Sequence, residues 1–229
     1  SGSVKTDCFY AKARNFEGSL SAALDSDNVP VEIYDRLIEA THNNFKTLHE
    51  YFKIRKKVLG VSGLHLYDMY VPLVKLPEKK YSFDEAKLIV LEAMKPLGEE
   101  YCNVLREAFD NRWIDIYENA GKTSGAYSWG CYEAHPYVLL NWQGTVDDVF
   151  TLAHELGHAM HTYYSNKTQP YIYAGYKIFV AEVASTVNEN LLIKYLLAKS
   201  TDKDEKAYLI NHYLESIRLT IVRQVMFAE

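Results

Sequence analysis

The stretch TLAHELGHAMH, residues 151–161, decides how this chain is read. On a helix, residues four apart share a face, so His154 and His158 can turn two imidazoles toward one ion at Zn–N distances of about 2.0 Å. Glu155 lies beside that face, where a carboxylate can take a proton from metal-bound water, the role that the H-E-x-x-H pattern assigns it. Leu152 and Leu156, with the small Ala153, Gly157 and Ala159, suit a helix that packs deeply and leaves room around a metal. A five-residue pattern also arises by chance. In that case the two histidines are partly buried core residues and Glu155 is a solvated helix charge. A third ligand decides between the readings, because catalytic zinc usually has three protein ligands and an open position for water.

His161 is the nearest further histidine, but seven residues from His154 is about 10 Å along a helix axis, too far to share one ion easily. The better candidate is Glu182, in FVAEVASTVNEN on the next predicted helix. The intervening YYSNKTQPYIYAGYK is long enough for the chain to reverse and bring that carboxylate onto the histidines. Glu182 sits in IFVAEVAS, otherwise uncharged, where an unpaired buried carboxylate would be costly. Glu189, seven residues further, falls on the same face and could hold the other nitrogen of a ligand histidine. A helix of mixed charge often exposes its glutamates, and that plainer reading stays open for both.

Outward from this motif, the chain reads as mainly helical. Apolar residues recur from Val31 to Leu59 at helical spacing (Tyr34, Leu37, Ile38, Phe45, Leu48, Phe52), with Gly60 as the stop. VSGLHLYDMYVPLVKLPEKK, with Gly63, Pro72 and Pro77, reads as a long connection. Ser82 and Glu85 form a capping box, and Pro96 and Gly98 interrupt the helix that follows. A second helix is predicted through Tyr101, Leu105 and Phe109 toward Trp113 and Tyr117. AYSWGCY and YVLLNW carry residues that suit a pleated surface, which predicts a short hairpin or strand pair beside the motif helix. TVDD, from Thr145, marks the start of that helix. Another helix is predicted from about Ile178 to Lys199, and one more from near Thr201. The expected organisation is a helical region at 1–118 interlocked with a zinc-binding region at 119–229.

Composition narrows the function. The chain has 229 residues, 48% hydrophobic, with a net charge of −5, and its 25 basic residues are scattered apart from KIRKK at 53–57. A nucleic-acid surface needs a clustered basic stripe, so nucleic acid is not an expected partner. No window approaches the about 18 apolar residues of a membrane span, and no membrane association is expected. Cys8, Cys102 and Cys131 are odd in number and lack paired spacing, which suits a reducing cytoplasm. SGSVK begins without Met and reads as an expression scar. The other end stops at Glu229 inside a helical period, so the chain is expected to be a fragment, either fraying there or carrying a partner surface over Ile217, Ile221 and Val225.

Together, GAYSWGCYEAHPYVLLNWQGTVDDVFTLAHELGHAMHTYYS and QPYIYAGYKIFVAEVASTVNENLL closely resemble the oligoendopeptidase F branch of the thimet oligopeptidase-like metallopeptidases. The resemblance covers most of the chain from Val4 and is densest from Gly125 to Leu192. It implies a mainly α, zincin-like metallopeptidase fold, one zinc ion per chain on His154, His158 and Glu182, and Glu155 as general base and proton shuttle. It also implies a channel that admits short unstructured peptides, and a strand beside the motif helix that pairs with the peptide backbone. On that reading Ala126, Tyr127 and Ser128 would touch substrate, and His135 and His161 are further candidates. Core packing is an equally open reading for Tyr127, Trp129 and Tyr132. Family members continue beyond the point where this chain stops, with a Gly- and Tyr-rich segment thought to stabilise the oxyanion. Two functions are therefore expected: peptide hydrolysis, or zinc and peptide binding without turnover.

Overall fold

Hydrogen-bonding side chains at two helix starts, Ser82 and Thr145, set where the chain enters a helix there. In the computed structural model, which describes residues 1–74 and 79–229, Ser82 accepts from the Glu85 amide and Glu85 returns the bond to the Ser82 amide. Thr145 and Asp148 repeat the arrangement. Each box satisfies amides that have no partner within the first helical turn.

The chain divides into two compact units, Leu76–Leu209 and Ser1–Lys75 with Ile210–Glu229. The second of these holds α1 (Gly2–Ala13), α2 (Ser19–Asp25), α3 (Val31–Asn43) and α4 (Phe45–Leu59). The single helix expected over 31–59 is therefore two. Asn44 breaks it: its backbone leaves the helical region at φ −100°, ψ 3°, and its side-chain amide donates to the Ala40 carbonyl. Gly60 ends α4 in the left-handed region, as its position suggested. Arg55 is buried in this unit and donates to the carbonyls of Asp68, Met69 and Val71. Its charge is matched by Glu215, 3.5 Å away. Pro77 of the expected connection lies outside the described residues.

The other unit begins with α5 (Phe83–Ala93) and α6 (Glu99–Asp110), followed by the strands β1 (Ile114–Asp115), β2 (Tyr127–Trp129) and β3 (Tyr137–Leu139). The long helices α7 (Val146–Thr168) and α8 (Ile178–Lys199) complete its frame, and α9 (Lys203–Ile217) begins in it. The helix expected to continue toward Trp113 and Tyr117 stops at Asp110, because Arg112 takes a positive φ of 61° that a helix cannot carry. The chain then forms β1, which pairs parallel with β3 through Ile114 and Val138. The expected strand pair is present: β2 runs antiparallel to β3, with Tyr127 opposite Leu139 and Trp129 opposite Tyr137. The sheet order β1-β3-β2 leaves β2 at an edge, packed against α7. Val90, Met94, Leu105, Trp113, Val138, Leu152, Leu156 and Leu192 are buried together in this unit's core.

After α9, a π turn at Arg218–Val222 leads into α10 (Arg223–Ala228). The extra residue of the π turn shifts the helical face. Ile217 and Ile221 are exposed, but Val225 is buried and so lies off the surface expected from uninterrupted spacing. Among the described residues, no helix is long and apolar enough to cross a membrane.

Candidate metal centre

Two helices build the site, and glycine and serine let them touch. A Cβ placed on Gly157 would lie 2.7 Å from the Ala184 carbonyl oxygen and 2.7 Å from Ser185 Cα. Only glycine permits α7 and α8 to approach this closely at the middle of the motif. A buried polar link fixes how the helices align: Asn188 donates to the Ala153 carbonyl at 3.0 Å and accepts from the Tyr101 hydroxyl at 3.0 Å. Ala153 directly precedes His154, so this link bears on the backbone that carries the first histidine.

On that frame His154 Nε2 and His158 Nε2 lie 3.1 Å apart, and Glu182 Oε2 lies 3.4 Å from the first and 3.5 Å from the second. A tetrahedral centre with bonds of about 2.0–2.1 Å separates neighbouring ligand atoms by about 3.3 Å, so the triangle has the dimensions of three tetrahedral vertices. The donor chemistry fits as well. Glu189 Oε1 lies 2.5 Å from His154 Nδ1 and engages that nitrogen's proton, which leaves Nε2 of the neutral ring with a free lone pair. Two imidazole nitrogens and a carboxylate oxygen thus converge on one point, an arrangement that suits a borderline-soft divalent cation. Among the described residues, these three are the group of metal-binding type that comes together.

The surrounding charges shape each group. Burial opposes charging of His154, but the hydrogen bond and charge of Glu189, with Glu155 and Glu182, outweigh it and raise its pKa. Burial dominates at His158 and lowers its pKa, against the pull of Glu182. Glu155 is buried, and burial raises its pKa. The neighbouring Glu182 charge adds to that rise, while His154 and the Ser128 backbone amide oppose it. Glu155 is therefore a carboxylate more basic than usual, close enough to His154 and Glu182 to feel both charges.

Glu182 departs from the expected setting. Its side chain is 48% exposed, and Phe179, Val180, Val183 and Val187 around it are exposed too. The uncharged neighbourhood reflects an open apolar helix face, not burial, and proximity to the histidines is what singles out this glutamate. Its Oε2 accepts from the hydroxyl of Ser185, three residues further along the helix, at 2.8 Å; a lone serine at that spacing gives no signal in the sequence.

The remaining candidates have other surroundings. Tyr127 is exposed and Ser128 points inward, its hydroxyl buried without a hydrogen-bond partner among the described residues. Ala126 packs against the core. His135 stacks on Trp113 at 5.1 Å and lies against Tyr137. His161 does not join the triangle; its ring stacks on Tyr176 at 3.7 Å, and burial lowers its pKa.

The model for peptidase family M3 matches residues 3–229. The chain belongs to peptidase family M3. Oligopeptidase PepF of Bacillus subtilis (strain 168) is 49% identical over 229 residues, which make up 100% of this chain and 34% of that protein. The chromosomal oligoendopeptidase F of Lactococcus lactis subsp. cremoris is 47% identical over 226 residues, 99% of this chain and 37% of its own length. A solved structure from Chlamydophila abortus shares 44% identity, with a TM-score of 0.89 over 99% of this chain and 38% of the other. The crystal structure of oligoendopeptidase-F from Enterococcus faecium matches at 32% identity and a TM-score of 0.66, covering 98% and 32%. The chain spans about a third of the length of the curated relatives it matches. Within this M3 member, the His154, His158 and Glu182 group resembles an H-E-x-x-H-plus-Glu zinc site.

Proposed function

We propose that this chain carries the zinc site and proton-transfer group of a metalloendopeptidase that hydrolyses short peptides. The carrying observation is the triangle of His154 Nε2, His158 Nε2 and Glu182 Oε2, with edges of 3.1, 3.4 and 3.5 Å, beside a buried carboxylate. These three residues would hold one zinc ion per chain, with Glu189 fixing the His154 ring. When bound, zinc supplies Lewis-acid polarisation of a peptide carbonyl and makes water more acidic. Glu155 accepts the attacking water's proton, a role favoured by its raised pKa, and later delivers a proton to the leaving amine nitrogen. The Ser128 backbone amide lowers the Glu155 pKa, which sets the base close to the strand on which an extended peptide would lie. Ala126, Tyr127 and Ser128 are the proposed contacts along that strand, and His135 and His161 are further proposed substrate contacts. The names of the oligopeptidase relatives support peptides as the substrate class.

The test is cleavage of a quenched fluorescent peptide by the zinc-loaded chain and by Glu155→Gln. The variant should keep stoichiometric zinc and lose about 10²- to 10⁴-fold in kcat. A near-parental kcat would assign the base elsewhere. Stoichiometric zinc with no cleavage by the parent would favour the second reading, zinc and peptide binding without turnover.

A further inference from the structure

Glu182 is a long side chain on an open helix face, and something must hold its carboxylate against the histidines. Its side chain is 48% exposed, whereas His154 and His158 are 27% and 17% exposed and braced within the packed helix pair. Left to itself, a glutamate in water samples many rotamers, and ordering it opposes ligation. The Ser185 hydroxyl meets this need. It lies 2.8 Å from Glu182 Oε2, the same oxygen that faces both histidine nitrogens. A carboxylate oxygen has two lone pairs. One can accept from Ser185 while the other points toward the histidines.

The donor itself is held rigidly. Ser185 is completely buried, so water does not replace its hydrogen bond. Its backbone lies against Gly157, where an added Cβ would come within 2.7 Å of Ser185 Cα and 2.9 Å of its nitrogen. Gly157 directly precedes His158, so the hydroxyl is referenced to the helix that carries the histidines. The same hydroxyl also lies 3.1 Å from the Glu182 backbone carbonyl. The carboxylate is the nearer acceptor and, being ionised, the stronger one.

We propose that Ser185 is a positioning residue that pins the Glu182 carboxylate in its ligating orientation and thereby sets the zinc affinity of the site. The proposal rests on the zinc reading given above. Thr186 provides an internal control, because its hydroxyl is bonded to the Glu182 backbone carbonyl and not to the carboxylate.

The experiment is competition between the 229-residue chain and a chromogenic zinc chelator, for the parent, Ser185→Ala and Thr186→Ala. Ser185→Ala should weaken zinc binding by about 10- to 100-fold, the usual effect of removing a hydrogen bond to a metal-bound group. Thr186→Ala should stay within about twofold of the parent, as an exposed substitution does. The cobalt-loaded chain gives a second readout: the visible absorption of Ser185→Ala should shift as carboxylate ligation changes, and that of Thr186→Ala should not. Parental zinc affinity and an unchanged cobalt spectrum in a folded Ser185→Ala would overturn the proposal. Should that variant not fold, Ser185→Gly also removes the donor while adding no bulk against Gly157 and no new metal ligand, and it should also bind zinc less tightly; parental affinity there would equally overturn the proposal. A parent chain that binds no zinc would instead remove the zinc reading itself.

Discussion

Replacing Gly157 by Ala adds one methyl group where α7 and α8 touch. On the present backbone that carbon lies 2.7 Å from the Ala184 carbonyl oxygen, 2.7 Å from Ser185 Cα and 2.9 Å from Ser185 nitrogen. All three are backbone atoms, so no side chain can swing away. Ordinary contact begins at 3.4 Å, so the helices must part locally by 0.7 Å. Overpacking of this kind costs about 1–3 kcal/mol, and a clash with backbone places it toward the upper end. Alanine recovers about 1 kcal/mol over glycine in a helix interior, leaving a net loss of about 2 kcal/mol. Trp113, Trp129 and Trp142, all the tryptophans of the chain, lie in the unit that contains α7 and α8. Urea unfolding followed by tryptophan fluorescence therefore reports on that unit, and its midpoint should fall. The same displacement exceeds the about 0.2 Å tolerance of a well-formed metal site, so zinc affinity should fall with it. A Gly157→Ala chain about 1 kcal/mol more stable than the parent, as helix propensity alone would give, with parental zinc affinity, would refute the argument that this contact sets the site.

Other perturbations have expected outcomes. In the metal-free chain, Glu189→Gln should lower the His154 pKa measured by NMR, because burial would lose its main opponent; an unchanged value would mean that the 2.5 Å contact does not govern that ring. Burial raises the folded-state pKa of Glu155 above its ordinary 4.5, so the folded metal-free chain holds this proton more tightly than the unfolded chain. That group therefore subtracts stability as pH rises from 4.5 through its folded value, and the penalty is absent below 4.5. Metal-free Glu155→Gln should accordingly gain stability relative to the parent as pH rises through that window, in urea unfolding at a series of pH values, and a gap independent of pH would contradict the assignment. Tyr101→Phe removes the donor to Asn188 Oδ1 and should cost about 1–3 kcal/mol by leaving a buried acceptor unpaired. A shift of the fluorescence-detected urea midpoint near zero would show that the link bears no load.

Those parts of the fold governed by neighbours in sequence were legible. Two histidines four apart, the Ser82 and Thr145 capping boxes and Gly60 each act over a few residues, and the structure uses them as local physical chemistry dictates. What was not legible depends on distant partners. β1 is two residues long and exists because β3, more than twenty positions away, pairs with it. Asn44 interrupts an apolar stripe that continues smoothly on either side, so periodicity alone joined α3 to α4. The uncharged neighbours of Glu182 suggest burial, which its exposure contradicts, yet the reversal between α7 and α8 brings it to both histidines. Ser185 is not legible in the sequence, because a serine in a helix announces nothing until the helix opposite is in place.

The most direct test of the account is anomalous diffraction at the zinc edge from zinc-soaked crystals of the chain. The account predicts one strong peak about 2.0–2.2 Å from His154 Nε2, His158 Nε2 and Glu182 Oε2, with Glu155 outside the coordination sphere. No peak at that point under saturating zinc, or a peak that excludes Glu182, would contradict it.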